Sequence, residues 1–213
     1  MEIFSNQSLT LWKKQADEIF SALTKAVKMT PCGEDLGVGI ACVPKTMKEH
    51  GILGLRVVRW CRDWGTEGQP FVPFKDYEKL SVCTTSVHDS STIRQWWEEE
   101  KDSVKAFIKA VDTIPIKETL EQKELSEESS FSPKIAQMVL KESAKAKSLW
   151  FIPPLQDFLY MNKDYWLEKA EQERINIPGT VNSFNLTYRL SVSLEDLNKD
   201  KELIEKIQTI AER

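Results

Sequence analysis

Histidine is nearly absent: the 213 residues contain two, His50 and His88. His50 falls on a predicted helix end, which leaves Asp35, His88 and Asp89 as a thin ligand set for any metal. The four cysteines, Cys32, Cys42, Cys61 and Cys83, make no CxxC pair. Each sits in or beside an apolar run, where a small reduced thiol packs well, so all four are expected in the core. No window approaches 18 uninterrupted apolar residues, and the start MEIFSNQSLTLWKK lacks a basic region, an apolar stretch and a cleavage site. Neither a membrane span nor a secretory leader is expected, and the cytoplasm is the expected compartment. The sequons at Asn6 and Asn185 then have no role. The phosphate-cradling patterns GxxxxGK[ST] and GxGxxG are missing, as is the GxSxG elbow of serine hydrolases. With a net charge of -4 and both signs mixed along the chain, no basic stripe awaits nucleic acid or an anionic membrane.

What is present is a globular composition, 41% hydrophobic and 29% charged. Leu11, Ala16, Ile19, Phe20, Leu23 and Val27 recur on one side of a helix predicted from Ser8 to Lys28. A short strand follows at KMTPC, then a glycine-rich turn, then a helix from Val43 to His50 ended by Gly51. LGLRVVRW and LSVCTTSV have the β-branched content of buried strands, separated by a long ordered loop, CRDWGTEGQPFVPFKDYEK. Thr92 and Gln95 have capping-box spacing at the start of the next helix. The polar stretch 113–132 reads as an exposed excursion, after which Ser132 and Pro133 open another helix. SLWFIPPLQDFLYM reads as a last strand running into a loop, and Ser193 as the cap of a terminal helix.

Apolar strands separated by helices imply an α/β protein with a parallel sheet and right-handed crossovers. About four strands suit a small open sheet or half of an eight-stranded barrel, since a complete barrel takes about 250 residues. Sites on such sheets gather at the carboxyl ends of the strands. Glu34-Asp35 and His88-Asp89 both fall there. Each pair has a plain alternative, since a carboxylate after a strand can cap the next helix and a histidine can satisfy a backbone carbonyl. Together, at the ends of neighbouring strands, they would offer two carboxyl groups to one cleft, one protonated and one ionised, as glycoside chemistry requires. Among the tryptophans, most of which are expected in the core, Trp64 in the glycine-rich loop is the candidate for stacking on a sugar.

Four ordered blocks, CGEDLGVGIACVPKTMKEHGILGLRVVRW, VCTTSVHDSSTIRQWWEE, FIPPLQDFLYM and RINIPGTVNSFNLTYRLSVSLEDLNKDKELIEKI, resemble the C-terminal part of 4-alpha-glucanotransferases from about residue 8 onward. The likeness is to the long form shared by plant cytosolic enzymes and some bacteria. It implies the C-terminal half of a (β/α)8 barrel and transfer of α-1,4-glucan segments between maltooligosaccharides or glycogen-like glucans, with retention and without metal or cofactor. It implies Glu34 as general acid/base, Asp89 as the group stabilising the transition state, His88 as a sugar ligand and Asp35 as a substrate-site residue that orders the motif. A retaining enzyme also needs a carboxylate nucleophile, which in this family lies in an Arg-x-Asp-His motif on an earlier strand. No such motif occurs here, so the nucleophile and its strand are expected upstream of Met1, on a missing N-terminal half. Leu186-Thr187 also departs from the tryptophan-containing run expected before Tyr188 and Arg189. The competing expectations are a noncatalytic glucan-binding remnant and an HD-type metal-dependent phosphohydrolase.

Overall fold

The computed structural model describes residues 5–36, 39–40, 42–111 and 130–212. Helix α1 (Asn6–Ala26) begins at Ser5, whose hydroxyl accepts the Ser8 amide at 3.2 Å. It leads to β1 (Cys32–Gly33), α2 (Cys42–Glu49) and β2 (Leu53–Val57). Gly51 closes α2 at φ +66°, a conformation a side chain would disfavour. A long loop precedes β3 (Ser81–Thr84), α3 (Ile93–Glu99) and α4 (Lys101–Val111). Then come α5 (Pro133–Ala144), β4 (Trp150–Phe151), α6 (Leu155–Leu159), α7 (Leu194–Leu197) and α8 (Lys201–Ala211).

The four strands form one parallel sheet in the order β1-β2-β3-β4, with α2 between β1 and β2, the long loop between β2 and β3, and α3 to α5 between β3 and β4. The expected α/β class and strand number are therefore observed. Between β3 and the helices lies an aromatic core, in which Trp96 meets Phe107 at 5.2 Å between centroids and Phe131 meets Trp166 at 5.4 Å. Trp96 and Trp97 are each 1% exposed.

Several expectations need correction. The helix predicted after Thr92 is two, because Glu100 leaves helical geometry at φ -105°, ψ 59°. Thr92 caps it by accepting the Gln95 amide at 3.1 Å, but the Gln95 side chain donates to Glu99 instead of completing the box. After β4 the chain forms α6 rather than a loop, with Pro154 as its N-cap. Ser193 caps only the single turn of α7, and Asp200 caps α8. Of the cysteines, Cys83 alone is buried; Cys32 is exposed, and Cys42 and Cys61 are half-buried. On α1, Leu11, Ile19 and Leu23 are exposed, while Trp12, Phe20 and Leu23 border a groove of about 380 Å3 against β1 and α2. Most of the excursion predicted at 113–132 lies outside the described residues.

One buried charge pair ties the C-terminal segment to this frame. Glu173, 1% exposed, accepts from Arg94 Nη1 at 3.1 Å, Tyr160 Oη at 3.0 Å and the Leu167 amide at 2.7 Å. Burial pushes the Glu173 carboxyl up; the Leu167 amide, Arg94 and Tyr160 pull it back. Arg94 in turn donates to the carbonyl oxygens of Leu167 and Glu168 and lies 4.8 Å over the Trp166 ring. Removing one partner of such a pair strands the other charge in the core. Arg94→Met is expected to lower unfolding free energy by about 3–5 kcal/mol, read by urea denaturation, and adding Glu173→Gln to it should restore part of the loss.

Candidate active site

β1 ends directly before the first candidate pair. Cys32, Gly33, Glu34 and Asp35 all border the groove against α1 and α2, and the two carboxylates differ in their partners. Asp35 Oδ1 accepts the Leu55 amide at 2.8 Å, and Arg56 Nη1 reaches Oδ1 at 3.0 Å and Oδ2 at 2.9 Å. This stitches the loop after β1 to β2 with a charge-assisted bond. Glu34 is exposed and has no such partner among the described residues. Gly54 makes room for the stitch: a Cβ there would lie 2.7 Å from Asp35 Oδ2 and 3.0 Å from Arg56 Nη1.

The second pair sits just past β3, at the two corners of a tight turn. The Ser90 amide donates to Val87 O at 3.0 Å, and Ser90 Oγ accepts the Val87 amide at 3.1 Å while donating to Val87 O at 2.9 Å. Closure by Ser90 pushes His88 and Asp89 outward, with side chains 64% and 46% exposed. His88 Nε2 stands 3.5 Å from Asp89 Oδ2, an electrostatic contact at the limit of hydrogen bonding. Asp89 Oδ1 accepts from Asn176 Nδ2 at 2.6 Å, across 87 residues of sequence.

Glu34 and Asp89 thus share the carboxyl edge of one parallel sheet. Their strands are not neighbours, as the sequence suggested, because β2 lies between β1 and β3. Two strand spacings, about 10 Å, separate β1 from β3, and since Gly33 is level with Ser81 through Gly54, Asp89 comes eight residues beyond that level on its own strand-end loop. Trp64 stands on the loop after β2, at the same edge, and is 61% exposed. Asp63 fixes its turn by accepting the Gly65 amide at 3.1 Å and the Thr66 hydroxyl at 2.6 Å. A cleft of about 430 Å3 opens beside His88, lined also by Ser86, Gln156, Tyr188 and Arg189. Burial pushes the Tyr188 phenol up to about 12. Among the described residues no three of His, Cys, Asp and Glu gather as a metal-binding group. His50, at the far end of α2, instead bonds Asp17 of α1 at 2.9 Å.

Sequence reasoning assigned nothing to Asp157, although it sits in the quoted FIPPLQDFLYM block. It is fully buried under this edge, in the first turn of α6. Its Oδ2 accepts from the hydroxyls of Thr85 and, at 3.0 Å, Ser86, joining the end of β3 to α6. Oδ1 has no hydrogen-bond partner among the described residues. Burial accordingly raises the Asp157 carboxyl from 3.8 to about 6, against the pull of Thr85 and Ser86.

A parallel sheet with helices in two of its three crossovers and with polar residues at its carboxyl edge is the layout of part of a (β/α)8 barrel enzyme. Solved structures agree on the fold. The amylomaltase from Streptococcus agalactiae in complex with acarbose superposes with a TM-score of 0.64 at 19% identity, covering 92% of this chain and 34% of that one. The amylomaltase from Corynebacterium glutamicum gives 0.58 at 18% identity, over 85% and 28%. A family profile described as 4-alpha-glucanotransferase matches residues 4–195. The 4-alpha-glucanotransferase of Chlamydia pneumoniae is 38% identical over 199 residues, 92% of this chain and 35% of its own. 4-alpha-glucanotransferase DPE2 of Oryza sativa subsp. japonica is 34% identical over 91% of this chain and 19% of its own. The chain belongs to the 4-alpha-glucanotransferase family, and it spans about a third or less of the length of these relatives.

Asp157 gives the site a measurable pH signature. Between about 3.8 and 6 the folded chain holds a proton there that the unfolded chain has released. The stability contributed by this group is complete below that window and is lost as pH rises through about 6. Relative to Asp157→Asn, the wild-type chain should lose about 2–3 kcal/mol of unfolding free energy between pH 4 and pH 7. Parallel urea titrations of the two proteins across that range check it, a constant difference being the contrary result.

Proposed function

We propose that this chain supplies the acid/base side of a retaining 4-alpha-glucanotransferase, acting in the cytoplasm on maltooligosaccharides or glycogen-like glucans. What supports the reading is that exposed Glu34 and half-exposed Asp89 both follow the carboxyl ends of strands of one parallel sheet, with β2 between those strands.

In this reading the bond between the anomeric carbon and the bridging oxygen breaks as a carboxylate nucleophile attacks that carbon. Glu34 gives its proton to the bridging oxygen, and the shortened glucan leaves with a free hydroxyl. Asp89, anionic beside the ring, offsets the positive charge that develops on it. His88 holds a hydroxyl of the same sugar, and Trp64 offers a ring face to a neighbouring unit. In the second half, Glu34 takes the proton of the acceptor hydroxyl, whose oxygen displaces the nucleophile, so configuration is retained. Asp35 works indirectly: with its oxygens engaged by Arg56 and Leu55, it holds the loop that carries Glu34.

The nucleophile belongs, in this reading, to an N-terminal half-barrel carrying the Arg-x-Asp-His motif. That half would pair with the outer edge of β1 and cover the groove between α1 and α2. Incubation of the chain alone with maltotriose should yield neither glucose nor longer maltooligosaccharides, because loss of a nucleophile from a cooperating set costs at least ~10^4-fold in rate. Mixing it with a half-barrel bearing that motif should restore disproportionation, and Glu34→Gln should abolish it again. Turnover by the chain alone would refute the division of labour; an inert mixture that still binds maltoheptaose would make the chain a noncatalytic glucan binder.

A further inference from the structure

Hydrogen bonds hold the chain on both sides of Asn176. Glu173 is locked by Arg94, Tyr160 and Leu167. Arg174 Nε donates to Asn176 O at 2.8 Å, the Leu186 amide donates to Ile175 O at 2.8 Å, and the Ile177 amide donates to Asn185 Oδ1 at 3.2 Å. The side-chain amide of Asn176 is thereby delivered to Asp89 Oδ1 at 2.6 Å. Asp89 stands on an outward turn and is about half exposed, and on its own turn its carboxylate meets only His88, at 3.5 Å from Oδ2. The donor is also neutral. Asp35 meets a guanidinium, which cancels its charge and ties it to β2; Asp89 meets a carboxamide, which orients the group and leaves its negative charge in place.

We propose that Asn176 is a positioning residue for Asp89: it occupies Oδ1 and sets the carboxylate rotation so that Oδ2, on the His88 side, faces the sugar. This rests on the reading of Asp89 as the group that stabilises charge on a bound glucan ring. The segment from Glu173 to Asn176 then has a purpose beyond packing, since it carries a donor from the C-terminal region to the edge of β3.

Two measurements on the full 213-residue chain test it. The first needs no sugar. In the 1H–15N spectrum, the Asn176 side-chain amide pair should move on Asp89→Asn and stay in place on Glu205→Gln, an exposed α8 control. An Asn176 pair unmoved by Asp89→Asn overturns the inference. The second uses maltoheptaose titrated by calorimetry. Asn176→Asp keeps the volume and removes the donor; it and Asn176→Ala should each weaken binding about tenfold with unchanged thermal midpoints. Added to Asp89→Asn, either should weaken binding no further, because the two residues act as one unit. Wild-type affinity in Asn176→Asp overturns the inference, as does a fully additive double variant. Equal affinity of wild type and Asp89→Asn, or no binding by wild type, instead overturns the glucan reading of Asp89, and the amide spectrum tells that failure apart.

Discussion

The buried pair Arg94–Glu173 is the constraint from which the geometry of the candidate site descends. Two charges held at 7% and 1% exposure survive in a core only if each lone pair and proton is used. Glu173 spends its oxygens on Arg94, Tyr160 and an amide, and Arg94 spends the rest of its fork on two carbonyl oxygens and the Glu98 carboxylate. Such saturation leaves one arrangement of the chain between Leu167 and Glu173 against α3. Three residues after Glu173 comes Asn176, and its amide meets Asp89. A buried electrostatic demand far from solvent thus fixes a polar group at the rim.

At the other carboxylate pair the same logic divides two adjacent residues. Asp35 is neutralised by Arg56 and bonded to the β2 backbone, while Glu34 is left exposed at the rim of the groove against α1 and α2. Gly54 is the residue that permits this, since any side chain there would collide with the Asp35 carboxylate. A pentapeptide that could have been a helix cap is in fact a strand-to-strand stitch carrying an exposed acid.

Local signals carried most of what the sequence revealed. The caps at Thr92 and Ser132, the Gly51 terminus and the strands around Leu53–Val57 and Ser81–Thr84 all arise within a few residues, so their chemistry is visible in a short window. The break at Glu100 was not legible, because EEEK contains no helix breaker. What stabilises the bend is the Trp96 indole, which donates across it to Ser103 at 3.0 Å. Helix α6 hid behind two prolines, which read as a loop until Pro154 is seen at the N-cap, where a missing amide costs nothing. Asn176 and Asp157 were invisible for a different reason. Their partners lie 87 and about 70 residues away, and pairs at that separation leave no periodic trace. Cys32 misled because an apolar neighbourhood in sequence became an open face of β1.

The position of Glu34 has a mechanical consequence. β1 comprises two residues and pairs, among the described residues, with β2 alone. Asp89 has a longer foundation, since β3 is paired on both sides and its end is bonded to α6 through Asp157. The two carboxylates therefore stand on supports of unequal stiffness, with the acid on the weaker. The Asp35–Arg56 stitch is the compensation: it anchors the residue beside Glu34 to the second strand in, bypassing the short ladder. Whatever pairs with the outer edge of β1 acts on Glu34 through a backbone only one residue away, whereas Asp89 is insulated from that edge by the whole of β2.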